Sequence, residues 1–252
     1  MRREGFYRVL FLTVFVLLTA TLVFADDPVG PDGLSTVSTS RRTISTSAQS
    51  RPAEAGNVSE LKMNTTTITQ GWQGYYGNIT GIIVLDDASN NSMYTWDWAD
   101  PYGEIFATRD TDGIDWGAGN IICANISHIV TEESNLNFNL GTGQDADGIN
   151  ETFNKTTHPA FNVSSNNFAA NQCNFTVSTY VDDAVDASRK FNETLLYSSS
   201  DTALVYAAFI VQGGADGFKT GTTKYDFQML VAEDGHQGDT STTDYYFYVE
   251  LG

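Results

Sequence analysis

Carboxylates dominate the reactive side chains of this chain, with 31 Asp and Glu against 13 Lys and Arg. Two groups of them have a spacing that chemistry can use. Asp110, Asp112 and Asp115 surround Gly113, and Asp145, Asp147 and Glu151 surround Gly148. Oxygens at alternate positions around a glycine turn suit a hard cation such as calcium, which needs several of them converging on a tight loop. Neither group completes the longer calcium loop with its closing glutamate, and Asp-Gly is also an ordinary turn pair. Calcium is the cofactor the sequence admits, and none is required. Catalytic patterns are lacking. His128, His158 and His236 are too scattered for a zinc site. No Gly-x-Ser-x-Gly elbow, His-Glu-x-x-His pair or phosphate-cradling glycine loop occurs. The adjacent carboxylates Asp86/Asp87 and Asp182/Asp183 would point to opposite faces of a strand, which does not suit the paired carboxyls of glycoside hydrolysis. The reading is not an enzyme.

Recognition is the other chemistry on offer. Trp72, Tyr75 and Tyr76 stand among Gly71, Gly74 and Gly77, and Tyr246 and Tyr248 lie near the C-terminal end. Such side chains bring large contact area at low entropy cost, so these five are the candidate binding residues for a glycan or a protein. The competing reading makes Trp72, Tyr75 and Tyr76 the seam that starts a sheet, and it is favoured. The three glycines are then expected to bend the chain into a hairpin. Trp96 and Trp98 are assigned to the core.

Asn-x-Ser/Thr acceptors occur at Asn57, Asn64, Asn78, Asn90, Asn125, Asn150, Asn154, Asn162, Asn174 and Asn192. That is 10 of 18 asparagines, about three times what the Ser and Thr content gives by chance, and it points to N-glycosylation on accessible surface. The N-terminus agrees. Arg2, Arg3 and Arg8 flank the apolar run of residues 9–24, which ends at Ala25 before Asp26 and Asp27. A basic start, a short apolar run and a small residue at the cut make a secretory signal over residues 1–25. The run is shorter than the roughly 20 residues that span a bilayer, so no transmembrane segment is expected in the mature chain. Removing the signal leaves 30 acidic and 10 basic residues. That balance excludes nucleic acid, whose binding rests on Lys and Arg neutralising phosphate. In an oxidising compartment Cys123 and Cys173 are expected to form one disulfide, which should bring the segments around Ile121 and Thr176 side by side.

The elements that must carry these residues read as strands. Residues 26–56 form a Ser/Thr-rich flexible linker, with nine Ser/Thr among residues 35–47, a composition that cannot bury enough surface to order itself. Such a segment could also extend and add to a neighbouring subunit's sheet edge. From residue 57 to 252 period-two patterns recur. Residues 78–85 should turn Ile79, Ile83 and Leu85 inward, with Asn78 and Thr80 outward. Residues 93–98, 104–108, 174–181, 195–197, 225–231 and 245–251 follow, and residues 203–211 are continuously apolar, as for a central strand. Within the less regular residues 117–171, residues 127–135 are expected to form a short helix with Ile129 and Val130 inward, and residues 147–154 a turn or two. The fold class is all-β, a single β-sandwich of jelly-roll or immunoglobulin-like type with short helical excursions.

The runs at residues 68–78 (ITQGWQGYYGN), 85–87 (LDD), 104–109 (EIFATR), 203–206 (ALVY), 225–231 (YDFQMLV) and 245–251 (YYFYVEL) resemble a group of exported archaeal surface proteins of small-genome lineages. The likeness covers residues 64–252 and implies an archaeal envelope location without an activity. The expectation is a secreted, glycosylated structural or adhesive component of the cell surface, in an S-layer, filament or envelope coat. Its partners would be other envelope proteins or itself. The alternative is a module that recognises glycans or proteins through an aromatic face.

Overall fold

The computed structural model describes residues 27–43, 47–138, 146–179, 191–219, 223–235 and 241–252. The expected signal peptide and Asp145, Asp182, Asp183 and His236 lie outside them. Residues 30–70 form an arm, and its described residues up to Thr67 are exposed and belong to no strand. The strands are β1 (Trp72–Gly77), β2 (Gly81–Asp86), β3 (Ser92–Trp98), β4 (Gly103–Thr108), β5 (Ile121–Cys123), β6 (Phe161–Val163), β7 (Asn166–Phe168), β8 (Thr176–Ser178), β9 (Asn192–Ser198), β10 (Ala203–Phe209), β11 (Ala215–Asp216), β12 (Lys224–Tyr225), β13 (Phe227–Ala232) and β14 (Tyr246–Leu251). Two helices, α1 (Ile126–Asn135) and α2 (Ile149–Thr152), stand between β5 and β6. The described chain is therefore mostly β, in several antiparallel sheets.

The centre is a six-stranded sheet in the order β14-β4-β10-β9-β5, with β8 also on β9. Its strands alternate between two cores because successive side chains leave a strand on opposite faces. Leu204, Tyr206 and Ala208 of β10, Ile105 and Ala107 of β4 and Leu195 of β9 enter the first core, which α1, α2 and the β1–β13 pair cover through Ile129, Ile149, Met229 and Val231. Val205, Ala207, Phe209, Phe106 and Leu196 enter the second, closed by Trp116 and the β6–β7 hairpin through Phe161, Val163 and Phe168. The continuous apolar run of β10 is what a strand covered on both faces requires. α1 begins where expected. Asn125 caps it by accepting from the N–H groups of Ser127 and His128, and the His128 side chain accepts in return from the Asn125 N–H.

The Cys123–Cys173 disulfide is formed, with Cα atoms 5.2 Å apart. It ties together β5 and β8, which lie end to end along the same edge of β9, at Leu196–Ser198 and Asn192–Thr194. A bidentate ion pair holds α1 to the end of β4. Arg109 Nε and Nη2 donate to the Glu132 carboxylate at 2.7 Å each. Replacing Arg109 by alanine should lower stability by about 2 kcal/mol, short of the cost of stripping a fully buried carboxylate because the guanidinium is partly exposed. Urea unfolding measures it, and Arg109→Lys, a single point donor, should recover only part of the loss.

Four expectations are corrected. Gly71, Gly74 and Gly77 do not form a hairpin: Gly71 stands at a bend just before β1, but Gly74 and Gly77 lie within β1, in register with Leu230 and Phe227 of β13. Phe227's ring lies 3.3 Å from where a Cβ on Gly77 would stand, so this glycine serves close strand packing rather than a turn. Ile83 and Leu85 do not point inward, and neither Trp96 nor Trp98 is in the core: Ile83, Leu85 and Trp96 are exposed on a hairpin that leaves the body, and Trp98 at its base is half-buried. Val130 is exposed while Ile129 is fully buried, because adjacent helical positions diverge by about 100°. Residues 174–181 give only the three-residue β8, with residues 180 and 181 outside the description.

Candidate functional site

The feature that departs most from a closed globular surface is the β2–β3 hairpin. Its turn is built by Asp87, whose carboxylate accepts from the N–H groups of Ser89 and Asn91 and from the Asn91 amide. Asn90 takes φ 61°, which asparagine tolerates. Burial is absent along the strands: Ile82, Ile83, Leu85 and Trp96 are 61%, 49%, 50% and 46% exposed. Register places Ile83 beside Trp96 and Leu85 beside Tyr94, so one face carries Ile83, Leu85, Tyr94, Trp96 and Trp98. Tyr94 and Trp96 meet at 4.6 Å between ring centroids, and Trp98 meets Tyr102 at 6.0 Å. Neither strand has a second partner among the described residues. A two-stranded hairpin alone is marginal in water, and apolar surface of this extent marks a contact. In the sequence, apolar residues at every position from 82 to 85 read as a buried strand. What the sequence lacked was any sign that no layer covers it.

The five predicted binding aromatics do not share a face. Trp72 packs against Phe138 and Phe153 at the first core, and its Nε1 donates to the Asp147 carbonyl at 2.6 Å. Tyr75 packs edge-on to Phe247 at 5.2 Å. Burial raises the pKa of its phenol. These two are the seam. Tyr76 turns the other way, against Phe218 and Tyr225, and its hydroxyl accepts from Lys219. Tyr248 packs on Trp116 at 5.3 Å, and Tyr246 is exposed.

The carboxylate loops are occupied by their own backbone. Asp115 accepts from Gly117 N–H at 2.9 Å and from the Asn120 amide at 2.6 Å, and Asp110 accepts from Asp112 N–H at 2.8 Å. Asp201, which the sequence did not single out, closes the same loop by accepting from Asp115 N–H and from Ser198 Oγ. Asp147 serves through its carbonyl and Glu151 lies in α2. Among the described residues no three His, Cys, Asp or Glu side chains are grouped to hold a metal. His158 is buried between Phe161 and Phe209; its Nε2 accepts from Cys173 N–H at 2.8 Å and its Nδ1 meets the Pro159 carbonyl at 2.7 Å. This fixes the Nδ1–H tautomer. His128 stacks on Tyr197 at 3.5 Å. Both histidines are thus held in structural roles.

Of the ten acceptor asparagines, eight are exposed and Asn150 and Asn192 are half-buried. Two buried carboxyls stand apart from any of these features. Glu193 of β9 accepts from Leu230 N–H at 2.8 Å, and burial pushes its carboxyl well above the usual carboxylate range. Glu104 of β4 lies in register with Glu250 of β14. Burial, then the Glu250 charge, pushes it up to about 8.

No family model, curated protein or solved structure matches the chain. No helix among the described residues is long and apolar enough to cross a membrane.

Proposed function

We propose that this chain is a secreted, N-glycosylated structural or adhesive subunit of a cell surface, working in a filament, lattice or coat built from copies of itself or with other envelope proteins. The fold reading that goes with it is a β-sandwich, with the β1–β13 pair and α1 as the second layer over the six-stranded sheet. One observation carries the proposal: a disulfide-tied body with two packed cores projects an apolar hairpin that no other described residue covers. An acidic exterior supports it, because strong like charge keeps such a subunit soluble until a specific contact forms. The alternative, recognition of a glycan or a host protein, draws on the exposed Tyr94–Trp96 pair.

The mature chain, produced through a secretory pathway that glycosylates Asn-x-Ser/Thr, tests it. Intact mass and peptide mapping should find glycans on the exposed acceptors before the half-buried Asn150 and Asn192. Sedimentation should show concentration-dependent assembly, rising with salt as self-repulsion is screened. A monomer at every concentration and salt, binding a glycan instead, favours recognition and sinks the structural reading.

A further inference from the structure

The arm and the β2–β3 hairpin are opposite halves of one unmade contact. The arm carries exposed apolar side chains, among them Val58 at 102% and Met63 at 84%. From Leu61 onward its residues alternate, with Leu61, Met63, Thr65 and Thr67 on one side and Lys62, Asn64 and Thr66 on the other. That is the pattern of a strand with one face to bury. The hairpin offers two unpaired edges and the face of Ile83, Leu85, Tyr94 and Trp96.

The treatment of another edge in the same molecule sharpens the contrast. β14 ends the central sheet, and Val29 covers its outer edge by exchanging hydrogen bonds with Val249 at 2.8 and 3.0 Å. Pro28 and Pro31 flank Val29 and lack the N–H to extend a ladder. Asp27 anchors this root by accepting from Ser164 Oγ. The β14 edge is therefore blocked after one residue pair, as proteins commonly block edges. Between Gly81 and Trp98 there is neither proline nor lysine, and among the described residues both hairpin edges stay open.

We propose that the arm of one molecule adds as a strand to the β2–β3 hairpin of a second copy, with Leu61 and Met63 against the Ile83–Trp96 face and Val58 in the chain leading into it. Charge selects the arm as occupant. Residues 28–63 hold four basic and three acidic side chains, whereas residues 64–252 hold six basic and 25 acidic. The hairpin and the residues after it to 102 hold Asp86, Asp87, Asp97 and Asp100 and no cation. Hairpin against hairpin would bring two such acidic bodies together, whereas the arm, with its slight basic excess, does not repel them. A lipid surface fits poorly, because the hairpin's tip is Asp86, Asp87, Ser89, Asn90 and Asn91, all polar. Reach is sufficient. Residues 58–63 precede β1 by 9 to 14 residues, so the extended chain carries them about 30–45 Å from it, beyond the roughly 16 Å radius of gyration of a body this size. Ser38 stands close enough to Tyr76 of its own molecule to help Lys219 lower the pKa of that phenol, so the contact is assigned to the later part of the arm, where Asn57 and Asn64 bracket the apolar run. Arm onto hairpin is a head-to-tail contact, which propagates into a filament unless the rotation closes a ring.

The inference rests on self-assembly as proposed above, and one experiment separates the two. The glycosylated mature chain is compared by sedimentation with an arm variant (Val58→Ser, Leu61→Ser, Met63→Ser) and a hairpin variant (Ile83→Ser, Leu85→Ser, Trp96→Ser). All six side chains are exposed, and near-ultraviolet circular dichroism verifies the folded core. The parent should assemble and each variant alone should stay monomeric, its critical concentration raised at least tenfold. An equimolar mixture of the two variants should give dimers and stop there, because one intact arm then meets one intact hairpin. Assembly of the arm variant at parental strength overturns the inference and points to hairpin stacking; a mixture that stays monomeric also overturns it. A monomeric parent removes the structural reading itself. Should a variant misfold, a synthetic peptide of residues 54–69 added to the parent decides: it should cap hairpins and shorten the assemblies, and no effect at a hundredfold excess counts against the contact.

Discussion

Replacing Cys123 and Cys173 together by serine is expected to lower the unfolding free energy by about 4 kcal/mol, the chain-entropy value for a loop of 50 residues. The bond's position argues for the full effect. It joins β5 to β8, each only three residues long and each held by β9 alone within the central sheet. Both excursions that cover the first core, α1 and α2, lie inside the closed loop. In the unfolded chain the crosslink confines that stretch; without it, ordering the helices against Leu195 and Tyr206 costs more conformational entropy. Cys173 is itself fully buried in the second core, and its N–H is held by His158, so the serine hydroxyls add a small desolvation cost. Guanidinium unfolding of the oxidised parent and the double variant measures the difference. The denaturant slope should rise as well, since the uncrosslinked unfolded state exposes more surface. A loss under 1 kcal/mol with an unchanged slope would show that the loop ends are held together without the bond.

That disulfide was legible in the sequence because Cys123 and Cys173 are the chain's two cysteines and offer a single pairing. So was the central strand β10, since three buried residues on each face leave a continuous apolar run. Helix α1 was expected over residues 127–135 and forms over Ile126–Asn135; the Asn125 cap was not part of that reading. The hairpin was legible as strands yet not as surface. Periodicity places Ile83, Leu85, Tyr94 and Trp96 on one face of a strand pair, and this the structure keeps. Whether another layer covers that face depends on contacts distant in sequence, and no local pattern encodes them. The glycines of residues 71–77 failed for a related reason. Glycine permits a bend and also permits close approach, and Leu230 and Phe227, distant in sequence, decide for approach. The carboxylate loops were legible as turns. Which acceptor each N–H finds, such as Asp201 for Asp115, is a tertiary outcome. The buried glutamates were hidden for the opposite reason: alternation assigns charged residues outward, and Glu104 and Glu193 sit in strands whose both faces are covered.

Glu104 makes that last point measurable, because its burial should make the protein less stable as pH rises from about 4.5 to about 8. Its carboxyl lies between Phe209 on β10 and Glu250 on β14. Ionising it there means taking a charge out of water beside a second carboxylate, which itself accepts from Ser164 N–H at 3.0 Å. The folded state therefore keeps the Glu104 proton up to about 8, against 4.5 for the ordinary carboxyl. Below 4.5 the carboxyl is protonated in folded and unfolded chains alike, and the contribution is fully present. Above that, the unfolded chain releases the proton while the folded chain holds it, so stability falls with pH until the folded group titrates near 8 and the loss levels off. At about 1.4 kcal/mol per unit, the span sets an upper limit of about 4–5 kcal/mol. Glu193 is shifted in the same direction and adds to the slope of the parent. Glu104→Gln isolates the first term. The amide is neutral at every pH and close to the carboxylic acid in shape, so the variant should match the parent at pH 4.5 and exceed it increasingly toward pH 8. Urea unfolding at four or five pH values reads this directly. Equal slopes for parent and variant would mean that Glu104 ionises freely in the folded protein and that its position opposite Glu250 costs nothing. Because the pair sits on β14, one strand from the Val29 bridge, the same titration should loosen the root of the arm, and hydrogen exchange at Val29 and Val249 should quicken over the same interval in the parent but not in Glu104→Gln.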